Sequence, residues 1–239
     1  ARRARYEALH VAARAARADA VLLAHTRDDQ AETVLLGLAR GSGARSLAGM
    51  PATSGVLRRP LLDLPRDVVR EAAEASAPTL GLAVWDDPHN TDAAYTRARV
   101  RHAALPTLEQ QVGPGVAAAL ARTAALLRDD CDALDAWAEQ EQSRLLRDGP
   151  DGTLDVDAVG LSSLPRAVRT RVLRLAALAA GAPAGDLRHG HLTTLDSLVM
   201  ADATGSVADL PGVQAHRRAG VLRLQSRETP AAGRVHVAG

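Results

Sequence analysis

The sequence predicts an α/β protein: part of a parallel sheet covered by helices over residues 1–108, a helical domain over 109–204, and a β-hairpin with a tail over 205–239. Three observations predict it. Over the first ninety residues, short apolar runs alternate with amphipathic helical stretches, the pattern of strands and helices in a parallel sheet. Beyond Thr91 helical spacing takes over. Near the end, Val213–Arg217 and Val221–Gln225 flank Arg218-Ala219-Gly220, a hairpin with glycine at its bend.

The elements follow in order. Residues 1–18 form a helix whose apolar side is Tyr6, Leu9, Ala13 and Ala16. Ala20-Val21-Leu22-Leu23-Ala24 is a strand, and it hands over to a helix with a buried stripe of Ala31, Val34, Leu35, Leu38 and Ala39. Thr26 can cap that helix, with Asp29 three positions on where Glu or Gln is the usual capping-box partner. Gly41–Gly43 and Gly49–Pro51 bracket a short helical turn, and Val56–Leu61 is an edge strand ended by Pro60. Pro65 opens a helix to about Ser76, which Pro78 stops. Residues 79–90 are irregular apart from a short strand near Val84. A helix from about Asp92 to Gln110 is interrupted near Pro106, and Gly113-Pro114-Gly115 separates it from a long one ending near Arg147. Asp148–Gly152 is a turn, Leu154–Val156 an extended piece, and Gly181-Ala182-Pro183 separates helices 165–180 and 186–200. The last residues, Glu228–Gly239, are small, polar and expected to fray.

With 239 residues the chain can bury a proper core, and 46% hydrophobic with 24% charged residues is ordinary for a soluble globular protein. All 29 basic residues are Arg, and Lys, Ile and Phe are absent. That bias reads as codon usage in a GC-rich genome, not as a nucleic-acid signal. Core volume must then come from Leu, Val and Ala. Net charge is only +1, so a surface for RNA must be a local patch. Cys131 is the sole cysteine, which excludes an internal disulfide and a cysteine-built metal site. Its spacing with Leu120, Ala124, Leu127, Leu134 and Ala138 makes it a core residue, and Trp85 and Trp137 are assigned to the core as well. His189 and His191 lack a carboxylate or thiol at ligand spacing. No stretch reaches the length of a membrane span and the start resembles no signal peptide, so the expected location is the cytoplasm.

The run His25-Thr26-Arg27-Asp28-Asp29-Gln30-Ala31-Glu32-Thr33 lies at a strand-to-helix junction, where ligands of open α/β sheets gather. On the helical wheel Asp29 falls opposite the stripe, Glu32 on its flank and Asp28 toward the buried side, so two carboxylates are expected to face outward beside a histidine. Acidic residues in a first turn also serve simply as complements to the helix dipole. Asp29 and Glu32, one turn apart, can hold one ammonium group between them. Asp28 suits either a hard cation such as Mg²⁺ or a bracing role, and the spacing does not choose. His25 can position a ligand or satisfy a core hydrogen bond. Of Arg97, Arg99 and Arg101, only Arg97 and Arg101 share a helix face, and their forks match carboxylate or phosphate oxygens unless the face is merely solvated. Arg40, beside Gly41-Ser42-Gly43, is a weaker phosphate candidate. Arg166, Arg169, Arg171 and Arg174 on one helix, with Arg217, Arg218 and Arg223 on the hairpin, suit either phosphate contacts or solvent.

That motif continues through Arg40-Gly41-Ser42-Gly43, Gly49-Met50, Arg59-Pro60-Leu61-Leu62, Asp87-Pro88-His89-Asn90, Thr96-Arg97-Ala98-Arg99-Val100-Arg101 and Leu105-Pro106. The ordered series resembles the tRNA(Ile)-lysidine synthase family of the PP-loop ATP pyrophosphatase superfamily. It covers residues 1 to 110 closely, and Arg2, Arg3, Arg5 and Tyr6 resemble the basic helix ahead of the first strand. Ala98 departs from the family's usual asparagine. The family's phosphate-gripping SGGxDS loop is absent, and Gly41-Ser42-Gly43 follows a helix and cannot replace it. The chain is therefore expected to be a C-terminal portion of an enzyme, inactive alone.

The resemblance implies a Rossmann-like PP-loop nucleotide-binding domain, with ATP and Mg²⁺ as cofactors and free lysine and an isoleucine tRNA bearing a wobble cytidine as partners. ATP would adenylylate the cytidine, and lysine would displace AMP. His25, Asp28 and Asp29 are the candidate catalytic residues, and Asp29, Glu32, Arg97 and Arg101 bind substrate. Arg40 binds the cofactor and Asp28 supports the metal. Two alternatives stand beside this: a PP-loop tRNA thiolation enzyme, against which a lone Cys131 argues, and a tRNA-binding module without catalysis.

Overall fold

The computed structural model describes residues 2–41, 43–201 and 205–227. Its contacts divide the chain into two units, 1–131 and 132–239. In the first, α1 (Arg2–Ala15) precedes β1 (Val21–Leu22), α2 (Arg27–Ala39), α3 (Ala44–Leu47), β2 (Thr53–Ser54), β3 (Leu57–Arg58) and α4 (Arg66–Ser76). The strands form one sheet in the order β1-β3-β2, parallel between β1 and β3 and antiparallel between β3 and β2. The sheet is thus mixed, and β3 is its central strand, not the edge strand expected. Pro60 lies beyond the paired residues, so its missing N–H removes no ladder bond. The short strand expected near Val84 does not form, and residues 82–87 carry no regular structure.

Beyond the irregular stretch, α5 (Thr96–Arg99) runs into a π-helical turn (Val100–Ala104) and then α6 (Leu105–Val112). Pro106 has no N–H, and its ring would crowd the carbonyl four residues back. The helix accommodates it by widening: Leu105 N–H bonds to the carbonyl of Val100, five residues back. The interruption expected at Pro106 is therefore a wide turn. Gly113, at φ 118°, ends the run. The Glu109 carboxylate then accepts from the N–H groups of Gly115 (2.6 Å) and Ala117 (2.8 Å), satisfying the start of α7 (Val116–Leu145). Cys131 is buried, as its spacing implied. Trp85 and Trp137 are not core residues: they are 75% and 40% exposed. Trp85 lies in the irregular stretch, and Trp137 turns outward to Glu141 one turn on.

The second unit adds β4 (Leu146–Asp148), β5 (Leu154–Asp157), α8 (Ala158–Ser162), α9 (Arg166–Ala179), α10 (His189–Met200), β6 (Val207–Leu210), β7 (Val213–Arg218) and β8 (Val221–Ser226). The expected hairpin is present as β7 and β8, but within a five-stranded antiparallel sheet ordered β4-β5-β8-β7-β6. Strands β4 and β6 are three and four residues long, too short to leave a periodic signal. Val213, Ala215, Leu222 and Leu224 point from this sheet into a core shared with Leu161, Val168, Val172, Leu173 and Leu195 of the helices. Helix α8 was not anticipated; Asp157 caps it through the N–H groups of Val159 and Gly160. Helix α10 begins at His189, later than expected. The tail Glu228–Gly239 lies outside the described residues. Among those described, no helix is long and apolar enough to cross a membrane.

Candidate functional site

Helix α2 carries most of the motif. Its buried positions are Gln30, Ala31, Glu32, Val34 and Gly37, whereas Leu38 is exposed, so the buried face is turned away from the expected stripe. At its start Asp29 accepts from the N–H (2.8 Å) and hydroxyl (2.9 Å) of Thr26, the reciprocal half of a capping box with aspartate in the glutamate's place.

Asp29 and Glu32 do not face outward. Glu32 is fully buried and the Asp29 side chain is 13% exposed. Arginines from distant segments cover what the wheel gave as the polar side. Glu32 Oε1 accepts from Arg66 Nη2 and Arg101 Nε, both at 2.8 Å, and Oε2 from Arg97 Nε at 2.7 Å. Asp29 Oδ1 accepts from Arg101 Nη2 at 3.0 Å and Arg66 Nη2 at 3.2 Å, with Arg97 Nη2 at 3.4 Å. Arg97 and Arg101 thus lie on one side of the α5–α6 run. Arg99 points elsewhere, tying down the carbonyls of Ala93 and Ala94. Between Arg97 and Arg99, Ala98 is buried.

Arg66 was missed by sequence reasoning. It is the first residue of α4, where the helix dipole disfavours a cation, and that misfit was the available signal. Asp28 accepts from the backbone N–H of Arg66 at 2.8 Å, so it braces the start of α4. Among the described residues no group of three His, Cys, Asp or Glu side chains is placed to hold a metal ion, and the second Asp28 oxygen accepts no hydrogen bond from them.

Burial raises the carboxyl pKa of Glu32, but hydrogen bonds from Arg101, Arg97 and Arg66 outweigh it and hold it below the ordinary value of 4.5. For Asp29 burial is likewise overcome, by the Thr26 bonds and by Arg66 and Arg97, leaving it below 3.8. His25 is lowered from 6.5 by burial, with Arg59, Arg97 and Arg5 opposing the pull of Asp29, so it is neutral at pH 7. Its Nδ1 is buried without a partner, so that nitrogen makes no core hydrogen bond. All three values are depressed by folding, so each group adds stability above its unfolded value that is lost as pH falls through the folded one. Stability should therefore decline below pH 6.5 as His25 charges and further below 4.5 as the carboxylates protonate. Urea unfolding followed across pH 3–8 checks this; stability that rises on acidification contradicts it.

A second wall stands beside the cluster. The Gln30 amide pairs with both backbone groups of Met50, donating to its carbonyl (2.9 Å) and accepting from its N–H (2.7 Å). Arg128 donates to the carbonyls of Ala48 and Gly49, and Arg59 reaches those of Pro51 and Ala52 through Nη1 and its backbone N–H. Five consecutive carbonyls, 48 to 52, are therefore bound by donors outside the segment. Alongside lies a cavity of about 750 Å³ lined by Arg40, Arg45, Arg59 and Arg97, with Thr33 and Met50. Its wall presents guanidinium groups while neighbouring carbonyl dipoles are already occupied, which suits an anionic ligand. Arg40 was the sequence candidate here; Arg45 was missed, though it follows Arg40-Gly41-Ser42-Gly43 closely enough to have been considered.

In the second unit most candidate arginines serve its own packing. Arg166 and Arg169 bind Asp196, Arg171 binds Asp135, and Arg223 binds Asp155. Arg174 bonds the carbonyls of Leu187 and Ala184, and Arg217 is buried. Arg218 is exposed.

A family model described as a PP-loop domain matches residues 1–108, and one described as the TilS substrate binding domain matches residues 157–223. The chain is 58% identical over 218 residues to a tRNA(Ile)-lysidine synthase of Thermobifida fusca, covering 91% of this chain and 65% of that protein. It is 53% identical over 223 residues to the Streptomyces coelicolor protein of the same name, covering 92% and 61%. With the Salinispora arenicola one it shares 49% over 239 residues, covering 97% and 68%. The chain thus spans between 61% and 68% of the length of these curated relatives.

Proposed function

The chain belongs to the tRNA(Ile)-lysidine synthase family, and on that premise we propose that it carries the amino-acid seat of an ATP-dependent ligase acting on the wobble cytidine of an isoleucine tRNA. In that reaction the carbon-2 oxygen of cytidine attacks the α-phosphorus of ATP and pyrophosphate leaves. The ε-nitrogen of free lysine then attacks carbon 2, and AMP departs with the oxygen.

The observation that carries the proposal is the pairing of Asp29 and Glu32 with Arg66, Arg97 and Arg101. Carboxylates and guanidiniums side by side match the charge pattern of an amino-acid zwitterion. An amine clamped between two carboxylates stays protonated and cannot attack, so the seat suits lysine's α-ammonium, with its α-carboxylate on Arg97 or Arg101 and its ε-amine left free. Asp29 is the less buried carboxylate of the clamp, and Glu32 also fixes Arg97 and Arg101. The arginine-lined cavity takes phosphate, from ATP or from the tRNA backbone, on Arg40, Arg45 and Arg59. Neutral His25 can hydrogen-bond the cytidine. A metal bound with ATP would neutralise triphosphate charge, and Asp28 is the residue here that would support it. The thiolation alternative is disfavoured, because Cys131 is the sole cysteine and is buried.

Asp29→Ala tests the seat. In the complete protein, pyrophosphate release from ATP and tRNA should persist while lysine transfer falls roughly a hundredfold, the loss of a charge-assisted contact. Undiminished lysine transfer refutes the assignment. A chain that binds the tRNA but gives no pyrophosphate release when completed supports the non-catalytic alternative.

A further inference from the structure

The three guanidiniums on Asp29 and Glu32 are held differently. Arg97 and Arg101 each bring Nε to Glu32, at 2.7 and 2.8 Å, and add an Nη2 near Asp29, that of Arg101 also lying 3.3 Å from Glu32 Oε2, so both are held through two nitrogens. Arg97 is further fixed to the backbone carbonyl of Asp29 at 3.2 Å. Arg66 engages through one nitrogen only: its Nη2 lies 2.8 Å from Glu32 Oε1 and 3.2 Å from Asp29 Oδ1. A single charged nitrogen bridging two carboxylates is the geometry of a bound ammonium.

Two further features set Arg66 apart. The start of α4 is fixed independently, by Asp28 on the Arg66 backbone N–H, so the side chain can leave without moving the helix. The side chain also borders a second cavity of about 540 Å³, shared with Arg27, Asp67, Arg70 and Glu109. Its exposure of 32% lies between those of Arg101 (19%) and Arg97 (40%). We infer that Arg66 is a built-in occupant of the ammonium seat, which lysine displaces toward this second cavity on binding.

The inference rests on the proposed lysine seat and says how that seat is kept when empty. Exchanging one cationic nitrogen for another leaves Glu32 and Asp29 compensated throughout, so no buried carboxylate is left bare. A tethered competitor sits at high effective concentration, so only a ligand that offers an ammonium and gains contacts elsewhere displaces it. Arg66 therefore acts as a specificity-determining residue, weakening the seat for every amine and excluding ligands without one.

The experiment is calorimetric titration of L-lysine into the full chain and its Arg66→Ala, Arg66→Gln and Asp29→Asn variants, with arginine Nε–H NMR signals recorded alongside. The expected result is lysine affinity about tenfold tighter or more in Arg66→Ala and Arg66→Gln, lost affinity in Asp29→Asn, and a shifted Arg66 signal when lysine is added to the unaltered chain. Unchanged or weaker affinity in both Arg66 variants, with Asp29→Asn still losing lysine, overturns the occupant role and leaves the seat standing. Lysine binding untouched by Asp29→Asn, or absent from every variant, overturns the seat and this inference with it.

Discussion

Replacing Glu32 by alanine is expected to lower unfolding stability by about 3–5 kcal/mol, the range found when one partner of a buried ion pair is removed. The side chain is fully buried and accepts from Arg66, Arg97 and Arg101. Truncation leaves those guanidiniums facing Asp29 alone, with Arg101 mostly enclosed. Glu32→Gln keeps the shape and one acceptor oxygen but loses the charge, and should fall between the two. Urea melts monitored by a probe within residues 1–131 check the order. A loss below about 1 kcal/mol for Glu32→Ala would mean the cluster is screened like a surface pair, contrary to its burial.

Gly49→Ala should cost about 3 kcal/mol or more, by a different route. At φ +64° an L-residue is strained, by roughly 1 kcal/mol. A Cβ there would also lie 2.4 Å from Gln30 Oε1, which is committed to Met50 N–H. The amide must move, stranding buried Met50 groups at about 1–3 kcal/mol each. Gly41 separates the two effects, since it has the same φ of +64° with nothing within 4 Å of its would-be Cβ. Gly41→Ala should show the strain alone, and equal losses at the two sites would refute the steric account. Because Met50 and Gly49 line the arginine cavity, Gly49→Ala is expected to weaken anion binding as well.

What the sequence disclosed was local. The His25–Thr33 run, the cap at Thr26, the shared face of Arg97 and Arg101 and the β7–β8 hairpin all rest on spacings within one or two elements. The inward turn of Glu32 was not legible, because its cover comes from Arg66, Arg97 and Arg101, 34, 65 and 69 residues away. A helical wheel counts only the neighbours on its own helix, so a face closed by distant cations reads as solvent. The five-stranded sheet was hidden for a related reason. Its outer strands are short, and β5 pairs with β8 across Leu154↔Leu224, a partnership with no periodic trace. Trp85 shows the converse, a large apolar residue assigned inward by its chemistry that the irregular backbone leaves outside.

The π-helical turn at Val100–Ala104 makes the spacing of this region a counted quantity. Upstream of it Arg97 is registered on Glu32, and downstream Leu105 is buried. Such a turn holds one residue more than an ordinary one, so excising a single residue such as Ala103 restores ordinary winding with both sides still in register. What is lost instead is the space that Pro106 needs, since its ring then crowds the carbonyl one turn back. The register of Arg97 against Leu105 therefore survives the loss of one residue here, while the exposed stretch around Leu80–Trp85 can absorb insertions.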